Sequence, residues 1–282
     1  MKTDLGNFLE INSGNFIMGN AQTFNTKFGN NRQEHSQAKF EHRVAISKDF
    51  AVLDSPVTIE LFKYFLTDHK SDNYKLIEEN VNYISNKKEL SEYCNSDKSE
   101  FEFIMQWKKI SFEEINLNQS INKPVVGVNH LDCILFCEWA SKVLNKNCRL
   151  LTEAEWEYVY RSGSSTTFYW GNDIILIDKY CWYCENSLME IQPVKSKLAN
   201  KFGLYDMGGN VWEWCNDCYD ESFYLSSNKI DPICISPTIN KKVIRGGSVF
   251  NKAETCRASH RWGINPNSRN EFLGFRILME LN

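Results

Sequence analysis

The sequence predicts an α+β domain with little regular secondary structure and a tryptophan-rich core. Aromatic residues make up 13% of the 282 residues and include eight Trp, and hydrophobic residues make up 42%. Few segments show a long helical period, and beyond residue 163 the chain reads as short strands separated by glycine turns. A chain of this length can bury a large core, so we expect one domain over 1–282.

The N-terminal third predicts strands. Residues 8–20 alternate apolar and polar side chains around Ser13-Gly14, which is typical of a β-hairpin. A further strand is predicted over residues 42–53. The segment 69–122 is rich in Lys, Glu, Asp, Ser and Asn, and we interpret it as a divergent insertion into the domain.

Three helices are predicted from their N-terminal signals. Thr58 can cap a helix that places Ile59, Phe62 and Phe65 on one side. After a short predicted strand at 124–128, an amphipathic helix begins near Asp132. A third helix follows the capping-box sequence T-E-A-E at 152–155.

Charge and composition bound the partners and the compartment. The formal net charge of -4 predicts no general attraction for nucleic acid or for an anionic membrane. No apolar stretch is long enough for a signal-peptide core or a membrane span, so a cytoplasmic location is expected. In that compartment most of the ten cysteines are expected to be buried thiols.

Four ordered segments carry a specific resemblance. They are PVVGVNHLDCILFCEWAS at 124–141, RLLTEAEWEYVYRSG at 149–163, FGLYDMGGNVWEWCNDCYD at 202–220, and VIRGGSVFN with LGFRI within 243–277. Together they resemble the formylglycine-generating-enzyme, or sulfatase-modifying-factor, family. The resemblance implies a C-type-lectin-like α+β fold. It leaves the activity open, because the family includes copper-dependent oxidases, iron-dependent sulfoxide synthases, non-catalytic paralogues and ligand-binding variable proteins.

The resemblance also tests for copper chemistry. The oxidases carry a C-x4-C pair after the GGS motif, where two thiolates hold Cu(I). Counted from Ser248, the first position is Asn251 and only the second, Cys256, is cysteine. Copper is therefore not expected. Cys256 is interpreted as a buried thiol, with a ligand or nucleophile as the alternative, and the candidate catalytic residues are Cys256, Ser248 and His260.

Two C-x2-C units raise a zinc alternative. Cys181 with Cys184 and Cys215 with Cys218 could supply four thiolates to one tetrahedral ion. A redox-active or structural disulfide is a further alternative, but residues three apart on a strand point to opposite faces, which favours independent packing of these thiols.

The resemblance implies a calcium site in the turn before the third motif's tryptophans. Its ligands would be Glu213 and the carbonyls around Gly208, Gly209 and Val211, and oxygen ligands on a tight turn suit this hard cation. The alternative role for Glu213 is that of a buried hydrogen-bond partner.

The C-terminal segment mixes polar and aromatic residues, which suits an adaptable binding groove. Its candidate ligand-binding residues are Phe250, Asn251, Arg257, Ser259, His260, Trp262, Asn265, Asn267 and Arg269. Arg245 and Arg276 are instead expected to hold the fold together. The sequence therefore favours a member of the family that binds a protein, peptide or small molecule, with an oxygen-dependent oxidoreductase or protein-modifying enzyme of altered metal ligands as the alternative.

Overall fold

The computed structural model describes residues 1–19, 41–68 and 120–281, so almost all of the predicted insertion at 69–122 lies outside the described residues. The strands are β1 (Lys2–Thr3), β2 (Gly6–Ile11), β3 (Gly14–Met18), β4 (His42–Ile46), β5 (Phe50–Leu53), β6 (Cys148–Leu150), β7 (Trp212–Cys218), β8 (Lys242–Arg245), β9 (Arg261–Ile264), β10 (Leu273–Gly274) and β11 (Ile277–Glu280). The α-helices are α1 (Ile59–Thr67), α2 (His130–Leu144), α3 (Glu153–Arg161), α4 (Ile177–Tyr180) and α5 (Phe223–Ser226).

The described strands form three sheets. A five-stranded sheet has the order β1-β2-β5-β11-β6, and a two-stranded sheet pairs β3 with β4. A four-stranded sheet has the order β10-β7-β8-β9. Because the C-terminal β11 pairs with both β5 and β6, the end of the chain closes the sheet that its beginning starts.

The predicted hairpin is wrong in its pairing, although both of its strands exist. β2 pairs with β1 and β5, whereas β3 pairs with β4. Between β2 and β3 the amide of Ser13 donates to Asp49 Oδ1 at 2.6 Å, so the chain turns from one sheet into another. The single strand predicted over residues 42–53 is likewise divided into β4 and β5, which belong to different sheets.

The three predicted helices are present. Thr58 caps α1, and Thr152 caps α3 with the expected reciprocal bonds to Glu155. α2 begins two residues earlier than predicted, because Asn129 is its N-cap and Asp132 completes a capping box. The strand predicted at 124–128 forms only an isolated bridge at Pro124, and the amides of Val125 and Gly127 donate to the loop carbonyls of Val57 and Asn270.

Aromatic packing joins these elements. The largest cluster packs α1 and α2 against β10 and β11, and within it the Phe136 ring lies 5.2 Å from the rings of both Trp139 and Phe275. A second cluster surrounds Trp156 and Tyr160 on α3. The tryptophan-rich core predicted from composition is therefore confirmed.

Candidate functional site

Two glycine turns meet at one end of the four-stranded sheet and form the floor of the site. β8 is followed by Gly246 and Gly247, whose φ angles of 100° and 75° are left-handed. The amide of Gly209 donates to the carbonyl of Gly246 at 2.9 Å. A Cβ at Gly209 would lie 2.1 Å from the carbonyl oxygen of Trp182, so a side chain cannot be accommodated there. The motif segments 202–220 and 243–251 are thus held together by a hydrogen bond between their glycine turns.

The turn that follows, which we call the Ser248 turn (Ser248 to Asn251), is stabilised by its own side chains. Ser248 Oγ donates to Asn251 Oδ1 at 2.7 Å, and the amide of Asn251 donates to the Ser248 carbonyl at 3.0 Å. Both side chains are only 1% exposed. Asn251 Nδ2 has no hydrogen-bond partner among the residues that the structure describes. The side-chain amide of Asn251 therefore occupies the first position of the cysteine pair that the resemblance to the copper-dependent oxidases would predict.

Cys256 does not lie alone, although the sequence indicated a single sulfur beside Ser248. The Cys181 side chain packs in the same buried cluster as the Cys256 side chain. Both are 0% exposed, and the half-buried Cys184 packs against the same small apolar cluster. Burial raises the pKa of Cys181 well above its usual value, and the neighbouring Cys256 thiol raises it further. The expectation of one isolated sulfur is wrong, because a thiol distant in sequence is brought beside it.

The exposed part of the site, which we call the Ser248 surface, consists of the half-buried side chains of Phe250, Arg257, His260 and Phe272. The rings of Phe250 and Phe272 stack with centroids 5.2 Å apart. The His260 ring lies 5.7 Å from that of Trp212, whose amide donates to the Phe272 carbonyl. The Arg257 carbonyl accepts from the His260 amide at 3.2 Å. Aromatic and cationic side chains therefore converge at this end of the sheet.

The other predicted ligand-binding residues lie elsewhere or are already engaged. Arg269 is 6% exposed and pairs with Asp132 through both of its terminal nitrogens. Ser259 is buried, and Trp262 packs against the largest core cluster. The exposed Asn265 and Asn267 follow β9, whose C-terminal end lies at the other end of the sheet, away from the Ser248 turn. The structure thus brings together only part of the predicted groove.

Glu213 is held in a buried network. Both oxygens of its carboxylate accept from Arg276 at 2.8–3.0 Å, and Oε2 also accepts from Trp156 Nε1 at 2.8 Å. Glu213 and Arg276 are each 1% exposed. In this arrangement Glu213 is a hydrogen-bond partner, as in the second sequence-based interpretation, and Arg276 has the structural role expected for it. Gly208, Gly209 and Val211 are also buried, on the turn that precedes it.

The two C-x2-C units lie in different parts of the fold and do not form one four-cysteine cluster. Cys181 and Cys184 lie in the cluster with Cys256, whereas Cys215 lies in the cluster around Trp156. Cys218 donates to the Ser236 carbonyl at 3.5 Å. Within 1–19, 41–68 and 120–281, no three His, Cys, Asp or Glu side chains are grouped so that they could hold a metal ion.

A buried ionic network lies beneath the site and includes Arg245, which was expected from the sequence to hold the fold together. Arg245 is 0% exposed and pairs with Glu157, and its Nη1 donates to the His260 carbonyl at 2.6 Å. Arg261 pairs with Glu153 through Nε and Nη2. Burial, together with the negative charge of Glu153, raises the pKa of the nearby Asp217 to about 7. The network fixes β8 and β9 on α3 and so positions His260.

Sequence reasoning missed three features of the site. Phe272 lies in a loop without a motif, and the contact between Cys181 and Cys256 joins segments 75 residues apart. Leu188 and Met189 form an exposed loop beside the Ser248 turn, and both have left-handed φ angles that nothing in their residue types indicates. Asn186 and Ser187, which precede them, are residue types common in turns and are the local signal for this loop.

These features define the class of protein: a C-type-lectin-like fold of the formylglycine-generating-enzyme type. The structure of PvdO from Pseudomonas aeruginosa superposes with a TM-score of 0.73 over 99% of this chain and 97% of that chain, at 23% identity. Treponema denticola variable protein 1 gives a TM-score of 0.69 over 97% of this chain and 94% of that chain, also at 23% identity.

The family follows from the sequence match. The model of the sulfatase-modifying factor enzyme 1-like domain matches residues 1–281, and the chain belongs to this family. The formylglycine-generating enzyme of Streptomyces coelicolor is 33% identical over 187 residues, which are 60% of this chain and 57% of that protein. The inactive C-alpha-formylglycine-generating enzyme 2 of Bos taurus is 29% identical over 185 residues, 60% of this chain and 54% of that protein. The match therefore spans little more than half the length of these relatives. Among the described residues, no helix is long and apolar enough to cross a membrane.

Proposed function

We propose that this protein is a binding member of its family, which recognises a peptide, protein segment or small ligand at the Ser248 surface without oxidising it. The observation that carries the proposal is the Ser248 turn. Asn251 stands where a second thiolate would be needed, and its Oδ1 is already engaged by Ser248. A side-chain amide is a hard oxygen and nitrogen donor that suits Cu(I) poorly.

The composition of the surface supports binding. Phe250 and Phe272 present stacked rings, and His260 and Arg257 add polar and cationic groups at the rim. Aromatic residues and Arg are enriched at binding interfaces, because they combine a large contact area with directional contacts. The buried pair of Arg245 and Glu157 holds this end of the sheet rigid, which lowers the entropy lost on binding.

Selection from a displayed peptide library on the immobilised protein tests the proposal. Selected peptides should bind the wild-type protein in the micromolar range and bind Phe250→Ser at least tenfold more weakly. Ile235→Ser is the matched control, because Ile235 is 79% exposed and follows Cys234, whose carbonyl bonds to Cys218 at the opposite end of the sheet. Equal binding to both variants would place recognition elsewhere and remove this proposal.

The alternative is an oxygen-using oxidoreductase or protein-modifying enzyme. It is favoured by the buried Ser248 and by the Cys256–Cys181 pair, which supplies two sulfurs near the same turn. Oxygen consumption with a cysteine-containing peptide, measured after incubation with Cu(I) or Fe(II), separates the two functions. Metal-dependent consumption that Cys256→Ser abolishes would establish the enzyme, and its absence in the presence of peptide binding would support the binding protein.

A further inference from the structure

The loop at Leu188 and Met189 exposes two large apolar side chains on a strained backbone. Leu188 is 89% exposed and Met189 is 50% exposed. Their φ angles are 56° and 58°, in the left-handed region that residues with a Cβ disfavour. Neither the exposure nor the conformation stabilises the isolated domain. Backbone strain of this kind is concentrated at functional sites.

This loop is fixed against the Ser248 turn. Ser187 is 1% exposed, and its Oγ donates to the carbonyl of Val249 at 3.0 Å and accepts from the amide of Met189 at 3.1 Å. On the other side of the loop, Ile191 packs in the same cluster as Val249. The strained conformation is therefore imposed by bonds and packing on both sides of it.

The loop extends the aromatic surface. Phe272 packs against the cluster that contains Val249 and also stacks on Phe250. Because Ser187 bonds to Val249, the residue before Phe250, the loop with Leu188 and Met189 adjoins the Phe250–Phe272 stack, and we call these four residues the apolar patch. Contiguous exposed apolar area in a folded domain commonly marks a site of interaction with another molecule.

Charge around the patch selects among the possible occupants. Glu190 follows Met189, Glu271 precedes Phe272, and Glu185 lies just before the loop, and all three are exposed. The cations on this side are the exposed Lys252 and the half-buried Arg257, so three carboxylates stand against two cations. The rim is thus net negative. In a two-fold contact between copies of this chain, the same acidic rim would face itself, and like charges would oppose the pairing.

We propose that the apolar patch docks a peptide segment that carries a large apolar side chain flanked by Lys or Arg. The apolar side chain contacts Leu188, Met189 and the Phe250–Phe272 stack, and the basic residues pair with Glu190 and Glu271. This inference rests on the proposed function and names the class of its partner.

Fluorescence anisotropy with three labelled peptides of twelve residues tests it. One has a central Phe-Leu pair with Lys and Arg flanks, the second has the same centre with Glu and Asp flanks, and the third has the basic flanks with a Ser-Ser centre. We expect the first peptide to bind at least tenfold more tightly than the other two. Its affinity should fall as salt is raised, because surface charge pairs are screened.

Three variants complete the experiment. Leu188→Gly with Met189→Gly removes both side chains while keeping backbone angles that Gly adopts readily, so the melting temperature should not fall. This double variant should lose at least tenfold in affinity for the first peptide. Glu190→Lys with Glu271→Lys should reverse the preference between basic and acidic flanks. Ile235→Ser should bind as the wild-type protein does.

The outcomes separate this inference from the proposed function. If library peptides depend on Phe250 but are insensitive to the double glycine variant, the inference fails and the proposed function stands. If no peptide depends on Phe250, the proposed function fails as well. A dimer in sedimentation that the double glycine variant converts to a monomer would show that a second copy covers the patch, and would overturn the inference.

Discussion

Replacement of Glu213 by Gln tests whether this residue is a structural ion-pair partner or a calcium ligand. Both oxygens of Glu213 accept from Arg276, and Oε2 also accepts from Trp156. The Gln side chain keeps one acceptor and turns an NH2 group toward donors. The Arg276 charge, 1% exposed, is then left without its counter-charge.

The magnitude follows from this burial. Removing one partner of a buried ion pair costs roughly 3–5 kcal/mol, because the remaining charge stays desolvated. A domain of this kind has a total stability on the order of 5–15 kcal/mol, so the loss is a large fraction of it. At about 2–3 °C per kcal/mol for a large domain, the melting temperature should fall by roughly 6–15 °C. Glu138→Gln is the control, because Glu138 is exposed on α2 and should change stability little.

Urea unfolding followed by tryptophan fluorescence, with excess calcium or with EDTA, provides the measurement. If Glu213 acts as the ion-pair partner, the loss should be the same in both conditions. The double variant Glu213→Gln with Arg276→Met should lose less than the sum of the single changes, because it removes the orphaned charge. A wild-type stability that rises with calcium, together with a variant that has lost this response, would refute the structural interpretation and show calcium binding through Glu213.

Three further predictions concern the elements that support the site. Burial raises the pKa of Asp217 to about 7 in the folded state, so ionisation of this group lowers the stability of the wild-type protein as pH rises from about 4 to about 7. Asp217→Asn should lose this dependence. Chemical denaturation at several pH values should therefore show the difference in unfolding free energy between wild type and variant narrowing by up to about 4 kcal/mol over this range. Gly209→Ala should destabilise by roughly 3 kcal/mol or prevent folding, as judged by melting temperature and soluble yield, because its Cβ would lie 2.1 Å from the carbonyl oxygen of Trp182. Cys181 and Cys256 should resist thiol reagents at pH 8 until the protein unfolds, since both are 0% exposed; rapid native labelling in peptide mapping would contradict their burial.

Local signals predicted local structure well. The caps at Thr58 and Thr152 lie within a few residues of the backbone groups that they bond, so the helices could be read directly from the sequence. The alternation in residues 8–20 correctly indicated strands. It could not show which strands pair, because alternation reports the two faces of a strand and not its neighbour. The bond from Ser13 to Asp49, which separates β2 from β3, is a contact of this non-local kind.

The candidate site divides in the same way. The Ser248 turn was located by its motif, and the absence of a thiol at Asn251 follows from counting along one segment. The neighbours of that turn come from other parts of the chain. Phe272 reaches it through the loop before β10, and Cys181 reaches it from the end of α4. Both residues lie outside 248–269, so the spacing of residues within that segment could not predict their contacts. Only part of the predicted groove is therefore present in the structure.

The contact between Cys181 and Cys256 changes the argument for a binding function. The sequence argued against copper because only one cysteine follows the GGS motif at the expected spacing. The structure places a second sulfur, that of Cys181, in the same buried cluster. Both thiols are 0% exposed, and burial raises the pKa of Cys181, which therefore holds its proton more tightly than a free cysteine. A soft metal would have to reach these sulfurs through packed side chains and displace that proton. The proposal of binding without oxidation thus depends on the amide at Asn251 together with the burial of both sulfurs, and not on the number of sulfurs alone.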